Sequence, residues 1–272
     1  MDKIRFGLIG SGWRAEFYIR IAKALPERFD LAAVMIRDQE KGKAFSEKFG
    51  VAVVNTVEEL LKKEPEFLVV AIKRGFVTDN LIELFQKGIP VLTETPPGED
   101  LEALHRLWDA YKKYQPKVQV AEQYFLQPYY SGVLDIIKKG TLGEISNVSM
   151  SAIHGYHAVS IFRKFLGIRM ENCKIQGRSY SFPVTKTRDR GGWHQTGELL
   201  TGRRDRVDFV FENGKTAFLD FDEEQYFSPI RSRTWNIQGD RGEIRDWKVC
   251  YLNEGNDPVT EQLYREDDGV YN

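Results

Sequence analysis

The chain has 272 residues, 42% of them hydrophobic and 12% aromatic, which is enough to bury a sizeable core in one large domain or two smaller ones. Its 39 basic and 40 acidic residues leave a formal net charge of -1, so there is no global electrostatic attraction to nucleic acid or to an anionic membrane. With two distant cysteines, no leader pattern and no apolar run near the roughly 20 residues of a membrane-spanning helix, the sequence predicts a cytoplasmic protein.

Residues 1–122 alternate short apolar strands with segments of helical periodicity. The runs "KIRFGLI", "FDLAAVMI", "EFLVVAI", "IPVLTE" and "KVQVAE" are apolar almost throughout, as expected for a parallel sheet that is covered on both faces. The repeating strand and helix order predicts an α/β fold, with a doubly wound Rossmann domain over residues 1–122.

Residues 123–272 have a different hydrophobic pattern. A helical stretch, "QPYYSGVLDIIKKG", leads into the strand "EISNVSMSAI" and the helical "VSIFRKFLG", and mostly β patterns follow from residue 173. Asn213-Gly214 lies between two alternating runs and predicts a hairpin, and "NIQGDRGEIRDW" predicts a second one. We therefore expect a second, α+β domain with a mainly antiparallel open sheet.

The stretch "GLIGSGWRAEF" carries the first chemical signal. Gly10, Gly12 and Ala15 form a G-x-G-x-x-A pattern between a strand and a helix, where glycines allow a pyrophosphate to approach the helix N–H groups. A purely structural turn is the alternative, but the βα units that follow favour dinucleotide binding. We assign the whole turn to the cofactor site, that is, Gly10, Ser11, Gly12, Trp13, Arg14 and Ala15.

The end of the second strand bears on the choice between NAD and NADP. An acidic residue there would hold the ribose hydroxyls of NAD, but the sequence has Ile36 and Arg37, with Asp38 better placed to cap the next helix. Arg37 could stack on adenine or pair with a 2′-phosphate, which favours NADP slightly over NAD. The alternative is a solvated arginine.

Four stretches in order carry a resemblance to a known family. They are "GLIGSGWRA", "LFQKGIPVLTETP", "KKGTLGEISNVSM" and "GYHAVSIFRKFLG". In these four stretches the chain resembles the Gfo/Idh/MocA oxidoreductases, which include glucose–fructose oxidoreductase and inositol dehydrogenase. The resemblance implies nicotinamide-dependent chemistry on a small molecule, usually a sugar or polyol, and a homodimer or tetramer formed through the open sheet. It also places Lys73, Glu94, Thr95 and Pro96 in the cofactor site.

The sequence departs from this family at the residues that handle the alcohol proton. The lysine of the Glu-Lys-Pro pattern is replaced by Thr95, the two aspartates near the histidine are replaced by Ile153 and Ser160, and only His157 remains. The Thr-Pro pair after the fourth strand is also replaced, by Ile72 and Lys73. The usual proton-handling residues are therefore missing.

A replacement set is visible beside His157. "AIHGYHAV" contributes His154 and Tyr156, and "AEQYFLQP" contributes Glu122 in a polar stretch with Tyr124. Imidazole exchanges protons near neutral pH, so we assign His157, Tyr156, His154 and Glu122 to catalysis, with packing at a domain interface as the alternative. A zinc site of His154 and His157 with His194 or Glu122 lacks a defined third ligand, and we predict no metal.

"TKTRDRGGWHQTG" is the most loop-like segment. Arg188 and Arg190 could hold a carboxylate or phosphate and Trp193 could stack on a sugar, but an exposed charged loop is the preferred interpretation.

Two functions remain open: a nicotinamide-dependent oxidoreductase with a variant proton-handling set, and a catalytically weakened protein that binds a dinucleotide or sugar for sensing or assembly. The end "YREDDGVYN" has no terminal helix that returns to the first domain, which leaves a C-terminal truncation open.

Overall fold

The structure is a computed structural model and describes residues 3–264. The chain forms two compact units, Met1–Glu122 (the first unit) and Gln123–Asn272 (the second unit). The sequence left a C-terminal truncation open. Residues 265–272, which bear on that possibility, lie outside the described residues.

The first unit alternates strands and helices in the order that the hydrophobic pattern predicts. A short 3-10 helix, Arg74–Phe76, precedes its fourth α-helix. The strands are β1 (Ile4–Ile9), β2 (Phe29–Met35), β3 (Val53–Val54), β4 (Phe67–Val70), β5 (Val91–Thr93) and β6 (Val118–Val120), and the helices are α1 (Trp13–Ala24), α2 (Gln39–Phe49), α3 (Val57–Leu61), α4 (Val77–Gln86) and α5 (Leu101–Tyr114).

The six strands form one parallel sheet in the order β3-β2-β1-β4-β5-β6. Helices α1 and α2 bury Ile19 and Phe45 on one face, and α4 and α5 bury Leu81 and Ala110 on the other. The predicted doubly wound Rossmann fold is confirmed. The strand order reverses between β1 and β4, and in such sheets ligands bind in the crevice at the carboxyl ends of the strands beside this reversal.

The second unit begins with a 3-10 helix, Tyr124–Leu126, and contains another, Glu223–Tyr226. Its α-helices are α6 (Pro128–Lys138) and α7 (Gly155–Leu166). Its strands are β7 (Ile145–Ser151), β8 (Cys173–Thr185), β9 (Arg188–Asp189), β10 (Gly192–Trp193), β11 (Leu199–Phe211), β12 (Thr216–Asp222), β13 (Thr234–Gly239), β14 (Gly242–Arg245), β15 (Lys248–Leu252) and β16 (Pro258–Gln262).

Eight of these strands form a sheet in the order β16-β15-β14-β13-β7-β12-β11-β8, in which β7 and β12 run parallel and the other neighbours antiparallel. Val133 of α6 and Phe162 of α7 are buried in one core with the sheet residues Val148 and Leu219. Because side chains alternate along a strand, Val210 and Phe218 point to the opposite face, where both are partly exposed. The predicted α+β fold with a mainly antiparallel sheet is confirmed.

Both predicted hairpins form. Asn213-Gly214 lies in the turn between β11 and β12, where Gly214 has a φ of +82° and donates its N–H to the Phe211 carbonyl at 2.9 Å. The segment "NIQGDRGEIRDW" forms β13 and β14. The segment predicted as a loop contains a small antiparallel hairpin of β9 and β10, which pairs Asp189 with Gly192. Its strands of two residues are too short to produce a detectable alternation.

Candidate functional site

The turn between β1 and α1 depends on its small residues. Gly10 has a φ of +132°, and a β-carbon there would lie 2.2 Å from the Ala71 carbonyl oxygen. Gly12 is the N-cap of α1 without a side-chain capping bond, and a β-carbon there would meet no atom within 4 Å. Ala15 is fully buried in the core. The turn therefore needs Gly10 for its own geometry, whereas Gly12 leaves open space at the helix N-terminus, which fits the pyrophosphate of a dinucleotide.

A cavity of about 260 Å³ lies beside this turn at the carboxyl ends of β1, β2 and β4. Gly10 and Ser11 line it from the turn, Arg37 from the end of β2, and Phe76 and Asn80 from the segment after β4. In the Rossmann fold the half of the sheet that contains β1 and β2 receives the adenosine part of a dinucleotide. The position and the lining of the cavity fit that part of the cofactor.

Arg37 and Asp38, the two candidate cofactor contacts at the end of β2, have different surroundings. Asp38 caps α2, because its Oδ1 accepts the Lys41 backbone N–H at 2.9 Å. The preference for Asp38 as a helix cap is thus confirmed. Arg37 is exposed at the cavity and forms no ion pair with any residue between 3 and 264. Its guanidinium and the Lys41 ammonium, which also lines the cavity, are positive charges that no described side chain pairs.

Lys73, Thr95 and Pro96 follow β4 and β5 at the same edge of the sheet. Lys73 is exposed and begins the short 3-10 helix, where its carbonyl accepts the Phe76 N–H at 3.0 Å. Thr95 and Pro96 are half-buried and joined by a cis peptide bond. The position of the family lysine thus carries an uncharged hydroxyl.

Glu94, directly before Thr95, is linked to α1. Its Oε1 accepts Arg14 Nε at 2.7 Å and the Tyr18 hydroxyl at 2.5 Å. Burial raises the pKa of Tyr18 well above its usual value, and the hydrogen bond to Glu94 raises it further, so Tyr18 remains a neutral phenol that donates to the carboxylate. Sequence reasoning missed Tyr18, although its position four residues after Arg14 places both side chains on one face of the helix.

The second unit brings three of the predicted catalytic residues together. His154 is the N-cap of α7, and Tyr156 and His157 lie in its first turn. The ring centroids of His154 and His157 are 4.9 Å apart, and those of Tyr156 and His157 are 4.4 Å apart. Tyr124 adds a further ring at 4.6 Å from His157. His157 is only 9% exposed, whereas His154, Tyr156 and Tyr124 are partly exposed.

Tyr226 belongs to the same cluster and was missed by sequence reasoning. Its hydroxyl oxygen accepts the His154 backbone N–H at 3.2 Å. Burial raises the pKa of Tyr226 well above its usual value, and the neighbouring Tyr124 contributes to the rise, so the phenol stays protonated at neutral pH. The two bonded residues are 72 positions apart in the sequence, and no local spacing connects them.

Glu122, the fourth residue assigned to catalysis, ends the first unit, whereas the other three lie in the second. It follows β6, is half-buried, and donates its backbone N–H to the Val120 carbonyl at 2.9 Å. Its catalytic role stays a prediction.

The small hairpin of β9 and β10 is tied together by Asp189. This carboxylate accepts the Gly191 N–H at 2.7 Å and lies 2.8 Å from His194 Nε2. The Gly191 N–H, followed by His194, lowers the pKa of Asp189. Arg188 lies over the Trp193 ring at 5.4 Å. His194 is therefore engaged within its own hairpin.

Residues 3–264 contain no group of three or more His, Cys, Asp and Glu side chains arranged to hold a metal ion. No described helix combines the length and the apolarity needed to cross a membrane.

Comparisons with known proteins agree with this geometry. Residues 4–122 match the model of an oxidoreductase family with an NAD-binding Rossmann fold, Gfo/Idh/MocA. An uncharacterized oxidoreductase of Rhizobium meliloti is 27% identical over 152 residues, which are 53% of this chain and 44% of that protein. The matches to three such relatives cover less than half of each relative's own length.

Solved structures share the fold over nearly the whole chain. An oxidoreductase from Agrobacterium radiobacter, in complex with NAD+, L-tartaric acid and magnesium, has a TM-score of 0.70 at 15% identity and covers 96% of this chain and 80% of its own. The WlbA dehydrogenase from Bordetella pertussis, in complex with NADH and UDP-GlcNAcA, has a TM-score of 0.64 at 17% identity, with 90% and 78% covered. The family match thus covers the first unit, and the solved structures extend the likeness in fold over most of the chain.

Proposed function

We propose that the protein is a nicotinamide-dependent oxidoreductase that acts on a sugar, a polyol or a related hydroxy compound. The observation that carries this proposal is the turn Gly10–Ala15, whose open space at Gly12 and uncapped helix N-terminus suit a pyrophosphate. The first unit would then be the dinucleotide-binding domain and the second the substrate domain. The similar structures with L-tartaric acid and UDP-GlcNAcA support a hydroxylated substrate.

NADP is the preferred cofactor in this proposal. Arg37 lies at the cavity end where an acidic residue would hold the ribose hydroxyls of NAD, and it is not engaged in an ion pair with a described residue. A guanidinium suits a 2′-phosphate through charge and geometry. Lys73, Glu94, Thr95 and Pro96 would complete the cofactor site at the ends of β4 and β5.

A bound nicotinamide ring would supply the hydride acceptor or donor. His157 would exchange the alcohol proton, since imidazole is a common proton-exchanging group in catalysis and His157 is the residue of this set that matches the family pattern. Tyr156 and His154 contact its ring and would orient it or share the proton, with Glu122 as a further candidate.

Calorimetry with NADP+ and NAD+, followed by a library of sugars, polyols and hydroxy acids, tests the proposal. We expect binding of at least one dinucleotide and a change in nicotinamide absorbance with one class of hydroxy compound. If neither dinucleotide binds, the oxidoreductase proposal is wrong.

A second candidate function is dinucleotide or sugar binding without turnover, for sensing or assembly. Thr95 favours it, because a hydroxyl cannot supply the charge of the family lysine. The same library separates the two functions: a bound dinucleotide that never changes its redox state with any compound would support the binding protein.

We also propose that the open face of the eight-stranded sheet mediates a homodimer or tetramer. Tyr180, Val210 and Phe218 are 47%, 46% and 37% exposed on this sheet. Light scattering on the eluted protein measures the mass, and Phe218→Glu should shift the protein toward the monomer because it places charge on that face. A monomeric wild type would contradict the proposal. A cytoplasmic location stays a prediction.

A further inference from the structure

Helix α5 exposes a row of large apolar side chains, which we call the α5 stripe. Leu101, Leu104 and Trp108 are 68%, 41% and 56% exposed, and Tyr111 is partly exposed at the end of the same row. The Trp108 and Tyr111 rings stack, with centroids 5.3 Å apart and an angle of 8° between their planes. Because aromatic residues are enriched at the centres of protein interfaces, a row of this composition is typical of a surface that binds another protein.

The α5 stripe lies beside the buried face of the helix and points away from α4. Ala103 and Ala110 are the buried residues of α5. Successive residues of a helix advance by about 100°, so Arg106 lies about 200° around α5 from Leu104. Arg106 forms an ion pair with Asp79 of α4. Helix α4 is therefore on the other side of α5, and it does not cover the stripe.

The spacing of the α5 stripe is symmetric about its centre. Its members follow one another at intervals of three, four and three residues, so Arg106 marks the midpoint. If two copies of α5 pack antiparallel about a two-fold axis at this midpoint, Leu101 of one copy faces Tyr111 of the other. In the same arrangement Leu104 faces Trp108. Alternating intervals of three and four residues are also those of helices that pack side by side at a small crossing angle.

The charges at the two ends of α5 have opposite signs. Glu99 and Glu102 are exposed at its amino end, and Lys112 and Lys113 are exposed at its carboxyl end. The ion pair of Lys112 with Asp109 is largely exposed, so it holds the lysine only weakly. An antiparallel pair brings the acidic end of each copy to the basic end of the other, whereas a parallel pair would bring like charges together. The stripe therefore fits a second copy of this chain.

On these grounds we propose that the α5 stripe is a two-fold interface at which two copies of this chain associate through antiparallel α5 helices. The interface lies on the first unit and is separate from the one proposed on the open face of the eight-stranded sheet. It depends on neither dinucleotide binding nor turnover. The α5 contact alone gives a dimer, and a chain that uses both two-fold contacts can close into a tetramer.

Analytical ultracentrifugation of the full chain over a range of concentrations tests the proposal. Phe218→Glu serves as the parent, so that the sheet face contributes no association, and the wild type serves if this parent does not fold. We expect the parent to dimerise, and Trp108→Glu should raise the dissociation constant of the dimer about thirty-fold or more, as is typical for the loss of a central tryptophan. Leu25→Glu is the matched control, because Leu25 is 39% exposed after α1, on the other face of the parallel sheet, and it should leave the equilibrium unchanged.

Two charge variants of the same parent test the antiparallel arrangement, and they serve if Trp108→Glu does not fold. The acidic variant carries Lys112→Glu and Lys113→Glu, and the basic variant carries Glu99→Lys and Glu102→Lys. Each variant alone should be monomeric at concentrations where the parent dimerises, because like charges then meet at both ends. An equimolar mixture should recover the dimer, because both ends are complementary again.

Several results would overturn the proposal. A parent that stays monomeric at every concentration would show that the α5 stripe binds a different protein. A dimer that is as stable in Trp108→Glu as in the parent, or one that Leu25→Glu weakens equally, would show that the stripe is not the interface. Charge variants that dimerise alone as the parent does, or that fail to recover the dimer when mixed, would contradict the antiparallel arrangement.

Discussion

The two units differ in how closely they follow the Gfo/Idh/MocA pattern that the chain resembles. In the first unit the glycine turn, the parallel sheet and the crevice at the strand reversal are all present. In the second unit the histidine is present as His157, but both aspartates of the family pattern are replaced, and its surroundings are phenols and a second imidazole.

This difference follows from what each predicted site requires. Cofactor binding depends on backbone geometry, such as the positive φ of Gly10, and few residues can satisfy it. Proton exchange requires only a titratable group in reach of the substrate, and different sets of side chains can supply one. Four substitutions test whether the units are as different as this comparison implies.

The largest effect is expected for His157→Ala in the second unit. Loss of the proton-exchanging group should lower kcat by about two orders of magnitude or more, because general acid–base catalysis contributes roughly 10²–10⁴-fold. Dinucleotide affinity should stay almost intact, since the side chain acts in the transition state. Steady-state kinetics and calorimetry on the same sample measure both quantities.

Thr95→Val is the control for this substitution, because it removes a hydroxyl at the position of the family lysine and should change kcat much less. Full turnover in His157→Ala would move the role to Tyr156, His154 or Glu122.

The next effect concerns the first unit. Gly10→Ala should lower the free energy of unfolding by about 3 kcal/mol, because the residue has a φ of +132° and the new methyl group would lie 2.2 Å from the Ala71 carbonyl oxygen. Denaturant titration measures this loss. Gly12→Ala is the matched control: its methyl group meets no atom within 4 Å, so stability should hold while dinucleotide affinity falls. Unchanged affinity in Gly12→Ala would contradict a pyrophosphate at this turn.

A smaller effect is expected for Arg37→Ala, which sharpens the assignment of the adenosine end. NADP+ affinity should fall about ten-fold, as expected for a lost ionic hydrogen bond, while NAD+ affinity serves as the internal control and should hold. Calorimetry with both ligands makes the comparison. If the wild type prefers NAD+ over NADP+, and Arg37→Ala has the same ratio of affinities, Arg37 does not belong to the cofactor site.

The smallest effect is expected for Tyr226→Phe. The hydroxyl that accepts the His154 N–H is lost, so the free energy of unfolding should fall by about 1 kcal/mol. Chemical denaturation measures the stability of this variant and of the control Tyr264→Phe. Because Tyr264 is 81% exposed, the control should leave the free energy of unfolding unchanged. Equal stabilities of the two variants would show that the Tyr226 hydroxyl contributes nothing to the cluster.

Much of the fold could be predicted because its signals are local. The apolar strands of the first unit, the cap at Asp38 and the hairpin at Asn213-Gly214 each depend on residues close in the sequence. The hairpin of β9 and β10 was not predicted, since two-residue strands give no periodic pattern. The site assignments of Arg37, His157 and Glu122 stay predictions that the experiments above test.

The amino-acid sequence alone determined the class of the fold, the glycine turn and the loss of the family lysine at Thr95, because each of these is a property of neighbouring residues. Only the tertiary structure decided that Tyr18 and Arg14 meet Glu94, and that Tyr226 reaches His154. These contacts join residues 72 or more positions apart. Their proximity is set by strand order and helix packing, and no periodicity in the sequence encodes which distant residues that packing brings into contact.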